Sequence, residues 1–194
     1  IKDTPVFSTE RVDYGPVIAY KMKLLRTAFE HWQSKSSDQE QTDFAAFCES
    51  KSSWLDDYAL FMSLKERHQG AAWHTWEKDI AARQAEALAY WKEALAEKIK
   101  YHKYLQHQFY KQWAALRQYA QQHGIRLVGD MPIFVAHDSA DVWAHPDLFH
   151  LDSDGKPTVV AGVPPDIFSE TGQLWGNPLY RWEHMAQTGY GLSL

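Results

Sequence analysis

Between residues 12 and 32, apolar side chains at Val17, Tyr20, Leu24, Leu25, Ala28, Phe29 and Trp32 recur at steps of three and four, which predicts an amphipathic helix. The polar stretch 34–39 interrupts it. Ser37 followed by Glu40 has the spacing of a capping box, so a second, short helix is predicted up to Ser50, with Phe44, Phe47 and Cys48 on a narrow apolar stripe. A third is predicted over 54–68, capped by Ser53 and ended by Gly70; it turns Leu55, Tyr58, Ala59, Phe61, Met62 and Leu64 inward and leaves Asp56, Lys65 and Glu66 to water. From about Arg83 to Gln122, Leu88, Trp91, Leu95, Ile99, His102, Leu105, Phe109, Trp113, Leu116 and Ala120 keep to one side. This reads as one long helix, bent or interrupted near its alanine-rich start, because forty residues of straight helix would span ~60 Å, more than the width of a small domain.

At His123-Gly124 the pattern changes. Gly124 is expected to close the long helix, and 125–128 reads as a short buried strand that stops at Gly129-Asp130. From Gly129 onward come six of the eight prolines and seven of the ten glycines, too frequent for a long helix or a regular sheet. An ordered, irregular segment of that length is the kind that carries function. The expected organisation is therefore a helical part, 1–123, and a strand with loops, 124–194.

Composition narrows the function. Apolar residues at 45% and charged residues at 23% describe a folded globular chain, and 20 basic against 25 acidic residues leave a formal charge of −5, with no positive field to attract nucleic acid. The single cysteine, Cys48, excludes an internal disulfide or a multi-cysteine zinc site and fits a reducing compartment. No apolar run approaches the ~20 residues of a membrane helix, and residues 1–8 lack a charged-then-apolar leader, so neither membrane nor export is expected. Nine Trp, ten Tyr and nine Phe supply flat apolar faces with polar rims, suited to packing and to neutral polar ligands.

The histidines have no metal-ligand spacing, and there is neither a glycine-rich phosphate loop nor a Gly-x-Ser-x-Gly elbow, so metal, nucleotide and serine-hydrolase chemistry lack support. Asp152-Ser153-Asp154-Gly155 begins like a calcium loop but lacks the later ligands and reads as a tight turn. Asp138 or Ser139 is expected to cap a short helix that contains Val142-Trp143. Asp130, directly after the predicted strand, stands where a parallel barrel places active-site groups, and equally where an aspartate caps a turn. The densest candidate is 161–178, where rigid prolines and permissive glycines surround carboxylates, amides and aromatic rings, the groups that grip sugar hydroxyls and the apolar faces of sugar rings. Phe168 and Trp175 have little reason to face bare water there unless they pack or bind something.

These residues carry a resemblance. Gly129-Asp130-Met131-Pro132-Ile133-Phe134-Val135-Ala136, Asp138-Ser139-Ala140-Asp141-Val142-Trp143-Ala144, the stretch 159–166 and Thr171-Gly172-Gln173-Leu174-Trp175-Gly176-Asn177-Pro178-Leu179-Tyr180-Arg181-Trp182 resemble the 4-alpha-glucanotransferases, also called amylomaltases or disproportionating enzymes. So do Arg11-Val12-Asp13-Tyr14, Trp54-Leu55-Asp56-Asp57-Tyr58-Ala59-Leu60-Phe61 and 102–120, which brings nearly the whole chain under the resemblance.

The resemblance implies an α/β fold, part of a (β/α)8 TIM barrel of the alpha-amylase clan. This chain would be an internal piece, mostly helical, with one barrel strand and long loops; the rest of the barrel would come from other segments of the protein. It further implies transfer of α-1,4-glucan segments between maltodextrins in the cytoplasm by a retaining mechanism, with no cofactor and no metal. The nucleophilic aspartate and the acid/base glutamate are expected C-terminal to this stretch, so no catalytic residue is expected within it and the piece alone should be inactive. Substrate-binding roles would fall to Asp130, Asp166, Ile167, Phe168, Gln173, Trp175 and Asn177. Where many members have Tyr this chain has Ile167, so packing against the glucan, without a hydroxyl contact, is expected there. The competing readings are a retaining alpha-glucosidase and a glucan-binding or purely structural helical module.

Overall fold

The computed structural model of this chain describes residues 4–130, 132–187, 189 and 190. Ile1, Lys2 and Asp3 of the expected leaderless start, Met131 of the Gly129–Ala136 motif and the residues from 191 to Leu194 lie outside it. The described chain is mostly helical and carries one two-stranded sheet.

Helix α1, Tyr14–Lys35, buries Phe29 and Trp32. Helix α2, Asp38–Ser50, begins as its sequence predicts: Ser37 Oγ accepts from the Glu40 amide and Glu40 Oε2 accepts from the Ser37 amide at 2.8 Å, so two orphan donors of the first turn are satisfied. The bond from the Ser37 amide, and after it one from the Ser37 hydroxyl to the same oxygen, hold the Glu40 carboxyl below its ordinary range. Helix α3, Ser52–Arg67, departs from expectation at its start. Lys51 closes α2 and opens α3 at once, its carbonyl accepting from Trp54 and Leu55, so Ser53 lies inside the helix and caps nothing. At the other end the Gly70 amide reaches back to the Lys65 carbonyl at 2.8 Å, the expected terminator.

The long apolar pattern is divided. After a 3₁₀ turn Trp73–Thr75 and helix α4, Lys78–Ala81, come α5, Ala85–Ala94, and α6, Ala96–Gln122, separated by Leu95 at φ −112° and ψ 17°. Leu95 is itself buried, and the break lets Ala87 and Leu95 join one core while Tyr101 and Tyr104 of α6 join another. The sequence allows for this interruption, and burial of Leu95 fixes its place. Gly124 closes α6 as expected, with the Ile125 amide bonded to the Ala120 carbonyl at 2.9 Å.

The first core gathers Leu60, Phe61 and Leu64 of α3 with Trp73, Trp76, Ile80, Val142, Trp143, Phe149, Tyr180 and Met185, so side chains from both sides of residue 123 share it. At its centre Trp143 is wholly buried, with its ring near Phe61 and Trp76, its Nε1–H donating to the Ile80 carbonyl at 3.2 Å and the Arg83 guanidinium 4.3 Å from its ring centre. The second core packs Phe29, Trp32, Phe44, Tyr101 and Tyr104 where α1, α2 and α6 meet.

The expected buried strand at 125–129 does not form. No ladder runs there, and Ile125, Leu127 and Val128 are exposed, Val128 at 94%. A strand's backbone groups need a neighbouring strand, and the described residues supply none to this stretch. Apolar stripes on α1 (Tyr14, Ile18, Met22) and on α6 (Phe109, Trp113, Leu116) are exposed as well.

Two strands instead lie in the segment that reads as irregular. β1, Val160–Val163, and β2, Gln173–Pro178, form an antiparallel hairpin. Before it come helix α7, Ala140–Ala144, and a 3₁₀ turn Pro146–Leu148; helix α8, Trp182–Gln187, follows it. A bridge between Phe149 and Tyr180 ties the base of the hairpin to the first core.

Candidate functional site

The hairpin is irregular at one place. Val160 pairs with Pro178, whereas Gly162 pairs with Leu174, so Trp175, Gly176 and Asn177 stand opposite Ala161 alone. Such a bulge bends the strand and re-aims its side chains. Gly176 makes it feasible: its φ of +79° lies in the left-handed region, where a side chain would be strained.

The bulged residues turn toward the segment that leads away from Asp130. Asn177 Nδ2 donates to the Val135 carbonyl at 2.9 Å, and the Trp175 ring meets Phe134 edge-on at 6.1 Å between centres. Within β2 the Trp175 indole N–H donates to Gln173 Oε1 at 3.1 Å, which orients the indole while leaving the ring half-exposed. Asp130 itself is exposed, just ahead of Pro132-Ile133-Phe134.

At the tip of the hairpin Asp166 Oδ1 accepts from the amides of Phe168 and Ser169, both at 2.9 Å, a side-chain-closed turn that leaves Ile167 93% and Phe168 84% exposed. The structure thus brings Gln173, Trp175 and Asn177 together with Phe134 and Val135. It sets Asp166, Ile167 and Phe168 on the tip of the same hairpin, with the Asp166 oxygen engaged in shaping its own turn. A separate cleft of ≈ 680 Å³ lies between Trp73, His74 and Arg83 on one side and Asp152 to Lys156 with Arg181 on the other, and none of the seven candidate residues lines it.

The platform is anchored from below by groups the sequence reading assigned differently or passed over. Asp138 caps no helix; Ser139 does, accepting from the Val142 amide. The Asp138 carboxylate instead pairs with Lys65 Nζ at 2.5 Å and accepts from the Trp73 amide at 3.2 Å, binding the loop to α3. Beside it Trp73 Nε1 donates to the His137 carbonyl, and His137 Nε2 donates to the Gly155 carbonyl at 2.7 Å. Gly155 is required there, since a Cβ would sit 2.4 Å from the Trp73 ring. The turn is as expected: Asp152 Oδ1 accepts from the amides of Asp154 and Lys156, which lowers the carboxyl's pKa, the Lys156 bond contributing most. Lys65 and Asp138 are 73 positions apart, and no spacing rule connects them.

Among the described residues no group of three or more His, Cys, Asp or Glu could hold a metal ion, and no helix is long and apolar enough to cross a membrane.

Fold and site together describe a helical body that presents a bulged hairpin with exposed aromatic rings. Compared with known proteins, residues 2–192 match the sequence family described as 4-alpha-glucanotransferase. The 4-alpha-glucanotransferase of Thermus thermophilus is 53% identical over 188 residues, covering 97% of this chain, and that of Synechocystis is 49% identical over 191 residues, covering 98%. Among solved structures, amylomaltase from Streptococcus agalactiae in complex with acarbose superposes with a TM-score of 0.87 at 40% identity over 93% of this chain. The chain belongs to the 4-alpha-glucanotransferase family. It spans 38% of the length of the two relatives and 36% of the solved structure.

Proposed function

We propose that this chain is part of a 4-alpha-glucanotransferase that moves α-1,4-glucan segments between maltodextrins, and that its bulged hairpin and the segment from Asp130 to Phe134 form one wall of the glucan cleft. The observation that carries this reading is the hairpin of a family member holding Phe168 and Trp175 in the open while polar bonds from Asp166 and Gln173 fix the turn and the indole. The indole, held that way, offers a sugar its apolar face at a reduced ordering cost, and the fixed turn presents the Phe168 ring beside it. Asp130, the free amide of Gln173 and the remaining oxygen of Asp166 supply partners for hydroxyls, and Ile167 adds apolar contact without the hydroxyl a tyrosine would bring.

The proposed mechanism is retaining double displacement: a carboxylate attacks the anomeric carbon, a carboxylic acid protonates the departing sugar oxygen, and a sugar 4-hydroxyl then displaces the enzyme. Both carboxyl groups would come from other segments of the longer protein, and this piece would contribute binding and exclusion of water. The proposed architecture is a (β/α)8 barrel of the alpha-amylase clan. The stretch 125–129 would be a strand whose neighbours lie in those other segments, and the same segments would cover the exposed stripes of α1 and α6. Residues 1–123 would serve as the helical support and 124–194 as the cleft-bearing part, a division of roles over a shared first core. No cofactor is assigned, and the free Cys48 fits a reducing, cytoplasmic setting.

Incubation of the complete protein with maltotriose tests the reading. Transfer yields glucose together with a ladder of longer maltodextrins; shortening alone would assign a hydrolytic alpha-glucosidase, and no reaction with retained glucan binding would leave a binding module.

A further inference from the structure

The family resemblance places Asn177 among the groups that touch sugar. The geometry points to a different role: we infer that Asn177 is a positioning residue, which uses the bulge in β2 to hold the Asp130-bearing segment in register with Trp175. The inference rests on the reading of this face as the glucan cleft.

Asn177 is partly buried, and its amide nitrogen is spent on the Val135 carbonyl at 2.9 Å, across 42 positions of sequence. In a regular ladder Trp175 and Asn177 would continue the pairing of β2 with β1; here they are displaced opposite Ala161, and Gly176 between them has a φ of +79°. The displacement brings two successive odd-numbered side chains of β2 onto two successive residues of the other segment, Trp175 onto Phe134 and Asn177 onto Val135. The tie falls five residues beyond Asp130, on the stretch that leads out of 125–130, so it acts whatever pairs with 125–129 in the complete protein. That hydrogen bond, together with the packing of Val135 against the first core, would therefore set the distance between the Asp130 carboxylate and the indole, and with it the fit of a sugar between them.

Three proteins test this in the complete chain: wild type, Asn177→Ala and the near-isosteric Asn177→Asp, whose carboxylate oxygen cannot donate to the Val135 carbonyl. Transfer kinetics on maltotriose, melting temperature and amide hydrogen exchange without sugar are measured for each. Both variants are expected to lose about ten- to a hundredfold in kcat/KM, the scale of one lost hydrogen bond compounded by misplacement of a reacting sugar. Amides of 133–137 are expected to exchange faster even without ligand, while the helical core keeps its protection. Normal exchange in that stretch with raised KM would assign a direct sugar contact and overturn the inference. Faster exchange with unchanged kcat and KM would reduce Asn177 to a local structural bond and also overturn it. If Asn177→Ala does not fold, Asn177→Asp alone decides between these outcomes. An active wild type beside unchanged variants sinks this inference alone, whereas a wild type inactive on maltotriose sinks the functional reading beneath it.

Discussion

The helical body and the bulged hairpin are held together by different physics. Around Trp143, Phe61 and Trp76 the chain is buried on all sides, and position follows from volume: a ring that fills its space leaves its neighbours one arrangement. In the hairpin the side chains of interest are exposed or only partly buried, and position follows from a few directed bonds, Asp166 to two amides, Gln173 to the Trp175 indole and Asn177 to Val135. Damage to the first region should therefore appear as lost stability, and damage to the second as lost binding or turnover in a protein that melts normally.

The largest effect is expected at Trp143. Trp143→Ala should destabilise the complete protein by about 3–5 kcal/mol, the range for removing a buried aromatic ring, with a matching fall in the denaturation midpoint. A change below a third of that would mean that the core relaxes around the cavity and that volume does not fix the body.

A smaller, pH-dependent effect belongs to the same body. His102 is buried where α3 and α6 meet; its Nε2 donates to Glu66 Oε1 at 3.0 Å, and Arg26 of α1 and Lys98 of α6 also face that carboxylate. Burial lowers the His102 pKa most, against the raising influence of Glu66. The unfolded chain thus takes up this proton at a higher pH than the folded one. Stability is full above the unfolded histidine value of about 6.5 and falls as pH drops through it toward the lower folded value. His74 and His107, each lowered first by burial, add in the same sense. Melting curves between pH 7.5 and 5 should slope accordingly, with a shallower slope in His102→Gln; an unchanged slope would clear His102 of the effect.

In the hairpin, Trp175→Ala should weaken maltodextrin binding by about 1 kcal/mol, or roughly fivefold in KM, by analogy with aromatic pairs. The ring is half-exposed, so the melting temperature should hardly move. A large loss of stability with normal KM would place Trp175 in the same class as Trp143. Smallest of all, Ile167→Tyr at a position 93% exposed should alter stability by less than about 0.5 kcal/mol. It should tighten glucan binding modestly by restoring a hydroxyl and a ring, which titration with maltoheptaose would detect.

The same contrast governs what could be read from the sequence. The Ser37–Glu40 box, the stops at Gly70 and Gly124, the Ser139 cap and the Asp152 turn are legible because each is a local bond between residues at most a few positions apart. Ser53 misled because α2 and α3 share Lys51, a fact of tertiary direction that leaves no mark on the cap pattern. The apolar run 125–128 has the composition of a strand, but a ladder also needs a neighbour. The hairpin had a signal, Val159-Val160 and Gln173-Leu174-Trp175 around a proline- and glycine-containing turn, which the density of breakers obscured. Asp138 reaching Lys65 and Asn177 reaching Val135 could not be found from spacing at all, since each bond spans dozens of residues.

Hydrogen exchange of the complete protein with and without maltoheptaose probes the proposed glucan wall most directly. Protection is expected to rise together in 130–135 and 164–177 while the surroundings of Trp143 stay as they were. Ligand-dependent protection confined to other segments, with both of these stretches unchanged, would show that the bulged hairpin does not face the glucan.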